Sequence, residues 1–228
     1  MNFLSHFYFD RNCKDPDFVM GSVLPDLVKN TRKDWHFHPE KDQLSYSTPK
    51  LKSLLSGWKR HLEVDKHFHS SRFFSTHTSA IRTAIAPVLT NSPVRPSFVA
   101  HIALELMLDS LLLAESKIDV NKFYASISLS DRASLYDFLT LNKADDPVLF
   151  FNFLDEFIQT RYLHSYREAQ NIMYAINRIC LRIWPEPMSE TQKLQLNAIL
   201  PDYQHKLENI FMDIFTEIDA RLQESLEP

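Results

Sequence analysis

The chain has 228 residues, of which 44% are hydrophobic and 24% charged, and its formal net charge is −4. That length suits one domain with a sizeable core, and the composition excludes a disordered chain. The 2 glycines, against roughly 16 at average usage, disfavour a protein of tight β-hairpins and leave no room for a glycine-rich phosphate or dinucleotide loop.

Residues 2 to 10 are apolar and aromatic around His6, and Asp15-Pro16 marks a break. Residues 17 to 29 read as a short helix containing Gly21, Pro25 and Asp26, and residues 30 to 50, polar with Pro39 and Pro49, as a long loop or a loop with a short helix. A helix is expected over 51 to 70, perhaps bending and continuing to 85, before a connector with Pro87, Pro93 and Pro96. A further helix over 97 to 114 has Ser97 as its expected cap. Helices over 119 to 129, 130 to 140 (Ser130 as cap), 147 to 163 and 166 to 183 follow, the last stopped by Trp184-Pro185-Glu186-Pro187. A final helix over 189 to 226 is expected to break near Pro201. The pattern predicts a single all-α domain, a helical bundle over 1 to 228, with 116 to 228 as scaffold.

Cys13 and Cys180 match no metal or redox spacing and are expected to be reduced thiols of a cytoplasmic protein. The opening MNFLSHFYFD lacks a basic leader and a cleavage site, and no membrane-spanning stretch is read, so neither a membrane nor a nucleic-acid partner is expected. Between Leu27 and Arg72 stand ten Lys/Arg and five Asp/Glu. Such a segment on an acidic chain is either a docking face for something anionic or a solvated face.

Two stripes carry the chemistry. The stretch 98 to 113 is apolar nearly all round, as a buried helix is. Its ionisable residues, His101, Glu105 and Asp109, are spaced by four and so share one narrow face. Buried, mutually repelling carboxylates are costly, and a divalent cation resolves both problems. His61, Asp65 and His69 repeat the spacing. The alternatives are hydrogen-bonded core histidines and solvated ion-pair faces; two such stripes together favour a shared metal site. Mixed imidazole and carboxylate ligands suit Mn, Fe or Zn better than Ca.

Met1-Asn2-Phe3-Leu4-Ser5-His6 resembles the Met-Asn-Phe-Leu-Ala-His start of the bacterial acyl carrier protein phosphodiesterases. Gly21 to Lys29 is similar to their Gly-Asn-Leu-Leu-x-Asp-Phe-Val segment, Gly57 to Asp65 to their Gly-x-x-x-His-x-x-x-Asp helix, and Glu105 to Leu112 to their Asp-x-x-x-Asp-His-Phe-Leu helix. The resemblance covers about residues 1 to 115. It implies a divergent, HD-type helical metal phosphohydrolase that uses Mn to release 4′-phosphopantetheine from holo acyl carrier protein. It carries over His6, Asp26, His61, Asp65 and Asp109 as metal residues. Glu105 stands where the family has Asp, Ser110 replaces the His of Asp-His, His69 replaces a frequent Asp, and His101 is an added imidazole.

The expected assignment is therefore a divalent cation held by His61, Asp65 and Asp109 with His6 and Asp26 in support. Glu105 would be a ligand or general base, and His69 and His101 would complete the shell or protonate the leaving alkoxide. Lys29, Arg32, Lys33, Lys59 and Arg60 are the candidates for docking an acidic carrier protein. A phosphohydrolase of a small phosphorylated substrate and a non-catalytic helical binding module remain as alternatives.

Overall fold

The structure, a computed structural model, describes residues 1–224. These form α1 (Phe3–Asp10), α2 (Pro16–Thr31), α3 (Pro49–Ser70), α4 (Arg72–Ile85), α5 (Pro96–Ala114), α6 (Val120–Leu129), α7 (Arg132–Leu141), α8 (Pro147–Thr160), α9 (Gln170–Leu181), α10 (Glu190–Leu207) and α11 (Phe211–Glu224). Three 3-10 segments, Pro39–Lys41, Gln43–Ser45 and Tyr162–Arg167, complete an all-α fold with no strand among the described residues.

Local chemistry sets the boundaries, and in three places it departs from the sequence expectation. The helix expected over 51 to 70 ends at Ser70 as read, and the bend after it is a full break, because the Ser71 hydroxyl accepts from Phe74 N at 3.0 Å and starts α4 afresh. Ser97 is not a cap: α5 begins at Pro96, whose missing N–H costs nothing in a first turn. Ser130 is not one either. Asp131 caps α7 by accepting from Ser134 N at 2.9 Å, while the Ser130 hydroxyl donates to buried Asp17 at 2.7 Å. The last helix runs straight through Pro201 and breaks instead after Leu207. A capping box at Ser189 and Gln192 starts it, and its expected end at Leu226 lies outside the described residues.

The chain divides into two compact units. The first is Met1–Asp65 with Ile118–Leu163. In it α2 packs against α1, α6 and α8. Phe7 meets Phe123 at 5.3 Å between ring centres, and Phe3 meets Phe157 at 5.1 Å. Asp15 caps α2 by accepting from Asp17 N at 3.0 Å. Both glycines of the chain lie where α2 meets α3. A Cβ on Gly57 would come within 2.7 Å of Ser22 N and within 2.8 Å of the Gly21 carbonyl carbon, and one on Gly21 within 3.0 Å of Gly57 Cα. Only glycine allows backbones to close this far.

The second unit is Lys66–Lys117 with His164–Pro228. In it α5 packs against α4 and α9, and α10 against α4 and α9. α5 is long and apolar enough to cross a membrane, which the sequence reading did not anticipate. Yet 67% of that window is buried inside the protein, as in the core helix of a soluble domain. Its Leu104, Met107, Leu108 and Leu112 are fully buried.

Candidate metal centres

The first unit gathers His6, His61 and Asp65, each offering a ligand atom within 4.8 Å of the others. α1 is an apolar helix, and packing of Phe3, Leu4 and Phe7 takes His6 inward to 1% exposure. His61 sits one turn beyond Gly57, at 2% exposure. The two rings stack with centroids 3.8 Å apart and planes 13° from parallel.

Each imidazole is prepared as a ligand in its own way. His61 places Nδ1 2.9 Å from the Ser22 carbonyl oxygen. A carbonyl only accepts, so Nδ1 carries the proton and Nε2 keeps its lone pair. That Nε2 lies 3.7 Å from Asp65 Oδ2. Neither ring nitrogen of His6 makes a hydrogen bond, although Nε2 comes within 3.3 Å of Asp65 Oδ1. A buried imidazole without hydrogen-bond partners is costly and calls for a ligand.

Protonation states agree. Burial, and then the neighbouring His61, pushes His6 down to about 4. Burial does the same to His61, down to about 4 against the partial opposition of Asp65. Both rings are therefore neutral near pH 7, the form that binds metal. Burial alone would raise Asp65, but the Met1 ammonium and the two imidazoles hold it far below the usual carboxylate range. The Met1 ammonium lies 2.6 Å from Asp65 Oδ1, so positive charge is what this carboxylate attracts.

The second unit gathers His69, His101 and Glu105. His101 Nε2 lies 3.0 Å and His69 Nε2 3.4 Å from the same Glu105 Oε1, and the two nitrogens are 3.2 Å apart. Burial opposes ionisation of Glu105, yet the positive N-terminal ammonium, and after it the hydrogen bonds from His101 and His69, hold its carboxyl well below the ordinary range.

Residues of the two stripes thus appear in these two groups, His6, His61 and Asp65 in one and His69, His101 and Glu105 in the other, and Asp26 and Asp109 are in neither. Asp26 is half-buried on α2 and Asp109 fully buried on α5. Beside Asp109, Ser110 is also fully buried, and its hydroxyl accepts from Gln204 Nε2 at 3.0 Å. Sequence reasoning passed over Gln204, although a polar residue in register with buried Leu196 and Leu200 was the available signal. It also missed the Met1 amine, for which spacing holds no cue.

Among the docking candidates, Lys29 and Lys33 are exposed and Lys59 half-buried. Arg32 is tied to Asp145 at 2.7 Å and Asp34 at 2.9 Å, and Arg60 stands 3.8 Å from Asp10. Carboxylates therefore offset part of the positive charge read from the sequence.

The family model described as acyl carrier protein phosphodiesterase matches residues 1–218. The chain belongs to the acyl carrier protein phosphodiesterase family. Neither the curated proteins nor the solved structures yield a match. Membership extends well beyond the 115 residues on which the motifs lie and takes in the C-terminal helices. It makes the protein a hydrolase of phosphodiesters and sets aside the non-catalytic binding module. The family name gives acyl carrier protein as the substrate.

Proposed function

We propose that this phosphodiesterase releases 4′-phosphopantetheine from holo acyl carrier protein with a divalent cation held by His6, His61 and Asp65. The observation that carries the reading is the state of the two imidazoles. Both are buried and neutral, His6 without hydrogen-bond partners and His61 with Nε2 turned out by the Ser22 carbonyl. Two imidazoles and a carboxylate suit Mn, as the resemblance expects, and equally Zn or Fe.

A cation in this set supplies Lewis-acid polarisation of a phosphate oxygen and acidifies a water. The residues do the rest. The Ser22 carbonyl keeps His61 in one tautomer, and stacking on His61 holds the ring of His6. Asp65, 30% exposed, is the side of the cluster open to a phosphate. Hydrolysis adds water across the P–O bond to the carrier protein; phosphopantetheine leaves as the phosphomonoester, and the alkoxide takes up a proton. Asp26 and Asp109 stay as proposed supporting carboxylates. Exposed Lys29 and Lys33, and half-buried Lys59, would meet the acidic carrier protein. Free Cys13 and Cys180 suit a cytoplasmic setting.

The test is to incubate the chelated, Mn-reloaded protein with holo carrier protein and weigh the product. Loss of the phosphopantetheine mass is expected with wild type and not with His61→Ala or Asp65→Ala. An unchanged carrier mass with the metal-loaded wild type would refute the activity.

A further inference from the structure

Trp58 stands on α3 three residues before His61, so the two side chains are neighbours on one side of the helix. The indole is 4% exposed, and its Nε1–H is buried without a hydrogen-bond partner. Phe37 and Phe138 flank the ring, with centroids 6.4 and 5.9 Å away. Carbon rings offer an N–H only a weak acceptor. A donor kept from water in this way is costly, and each such group calls for an explanation.

The other polar tips of the same aromatic cluster are provided for. Trp35 stacks on Phe37 at 5.6 Å, and its own Nε1 donates to Asp145 at 2.8 Å. Tyr46 leans on Phe138 at 5.3 Å, and its hydroxyl accepts from Asn142 Nδ2 at 2.8 Å. Trp58 is the exception, and it lies on the helix that carries His61 and Asp65.

The cover over Trp58 is the connector 32–48 between α2 and α3, which supplies Phe37 and holds two short 3-10 segments. Its ends are pinned, by Arg32 and Trp35 to Asp145 and by Tyr46 to Asn142. Between these pins Lys41, Asp42, Leu44 and Ser45 are exposed, Leu44 almost wholly. A long connector beside a reaction site is the kind of segment that lifts to admit a substrate.

We infer that the Trp58 indole N–H binds the pantetheine arm of the substrate by donating to one of its amide carbonyls, under the connector 32–48 as cover. This rests on the proposed release of phosphopantetheine. The arm is a narrow chain with a dimethyl group, two secondary amides and a phosphate at one end. Phe37 and Phe138 suit its methyl and methylene groups, and a single fixed N–H suits an amide oxygen. His61, one turn further along α3, puts the phosphate end at the proposed cation. Trp58 is thus a specificity residue: a phosphodiester without an amide leaves its N–H unpaired and is penalised accordingly.

The experiment adds 4′-phosphopantetheine to full-length, Zn-loaded protein labelled with 15N-tryptophan. The chain has 3 tryptophans, and Trp58→Phe, which removes the donor and keeps an aromatic ring, assigns the signal of Trp58. That indole proton is expected to move downfield on binding, and Trp58→Phe to weaken binding by about fivefold or more in calorimetry. With Mn, Trp58→Phe should lower kcat/KM for holo carrier protein to a similar degree, chiefly through KM. Hydrolysis of bis(4-nitrophenyl) phosphate, which has no amide, should stay within about twofold. If Trp58→Phe fails to fold, Trp35→Phe and Trp184→Phe assign the signal by elimination and the shift in wild type decides. A Trp58 signal unmoved by phosphopantetheine, or an equal loss on both substrates, would overturn the inference. Wild type that binds phosphopantetheine at Trp58 yet leaves holo carrier protein intact would count against the proposed function and not against this site.

Discussion

Gly57 rests its backbone directly on that of Gly21, and His61 stands one turn further along the same helix with Nδ1 2.9 Å from the Ser22 carbonyl. The close approach and the imidazole are one device. Helices that meet without side chains between them let a ring on α3 reach a carbonyl on α2. Gly57→Ala should test this. In an exposed helix the change would stabilise by about 1 kcal/mol through propensity. Here the methyl group meets backbone atoms that cannot rotate away, so a net loss of about 2–4 kcal/mol is expected. Urea unfolding should show a lower midpoint, and metal affinity of the folded variant should fall with it. A midpoint equal to or above wild type would show that α2 and α3 are free to separate without consequence.

The buried pair His6 and His61 should make the metal-free protein acid-sensitive. Both have folded values of about 4 against 6.5 when unfolded, with burial as the main cause. Between those values the unfolded chain binds more protons, so the contribution is complete above about pH 6.5 and is lost as pH falls toward 4. Thermal melts of chelated protein should show Tm falling over that window. His61→Gln should flatten the slope, whatever it does to Tm at pH 7. A variant with the wild-type slope would place the acid sensitivity elsewhere.

The all-α fold, both glycines and the stripe spacing were legible because helical periodicity is local: residues four apart share a face wherever the helix is placed. The family followed from short motifs, among them the one around His6. What could not be read was which members of a stripe meet. Asp65 and His69 are four apart on α3, yet one joins His6 and the other joins His101, because partners come from α1 and α5 and no spacing encodes that choice. Ser97 and Ser130 look like caps by type, but the neighbouring Pro96 and Asp131 fit the helix starts better. Arg32 counted as docking charge until Asp145, more than a hundred residues away, came beside it.

The docking candidates can be tested one against another. Lys29→Glu/Lys33→Glu, both exposed, should raise KM for holo carrier protein several-fold at low salt with kcat little changed, and the effect should fade in 0.5 M salt. Arg32→Glu should behave differently: it sets a third carboxylate beside Asp34 and Asp145 and should lower Tm more than it changes KM. Steady-state kinetics at two ionic strengths, with a melt for each variant, decide the matter. Equal KM effects for all three positions would mean that the pairing of Arg32 does not reduce its part in docking.

Ser110 marks the point where this chain leaves the family's Asp-His pair, and the structure shows what took the place of the imidazole. The Ser110 hydroxyl is buried and accepts from Gln204 Nε2 at 3.0 Å, while Gln204 Oε1 finds no partner. The C-terminal helix α10 thus supplies the polar complement for a core position on α5. Ser110→Ala should strand the amide donor and cost about 1–3 kcal/mol. Gln204→Leu in the same background should recover much of it, because removing both partners of a buried pair is far less costly than removing one. A double-mutant cycle on urea midpoints measures the coupling. Additive effects would show the two side chains to be independent, and the replacement at 110 would then have no structural partner in Gln204.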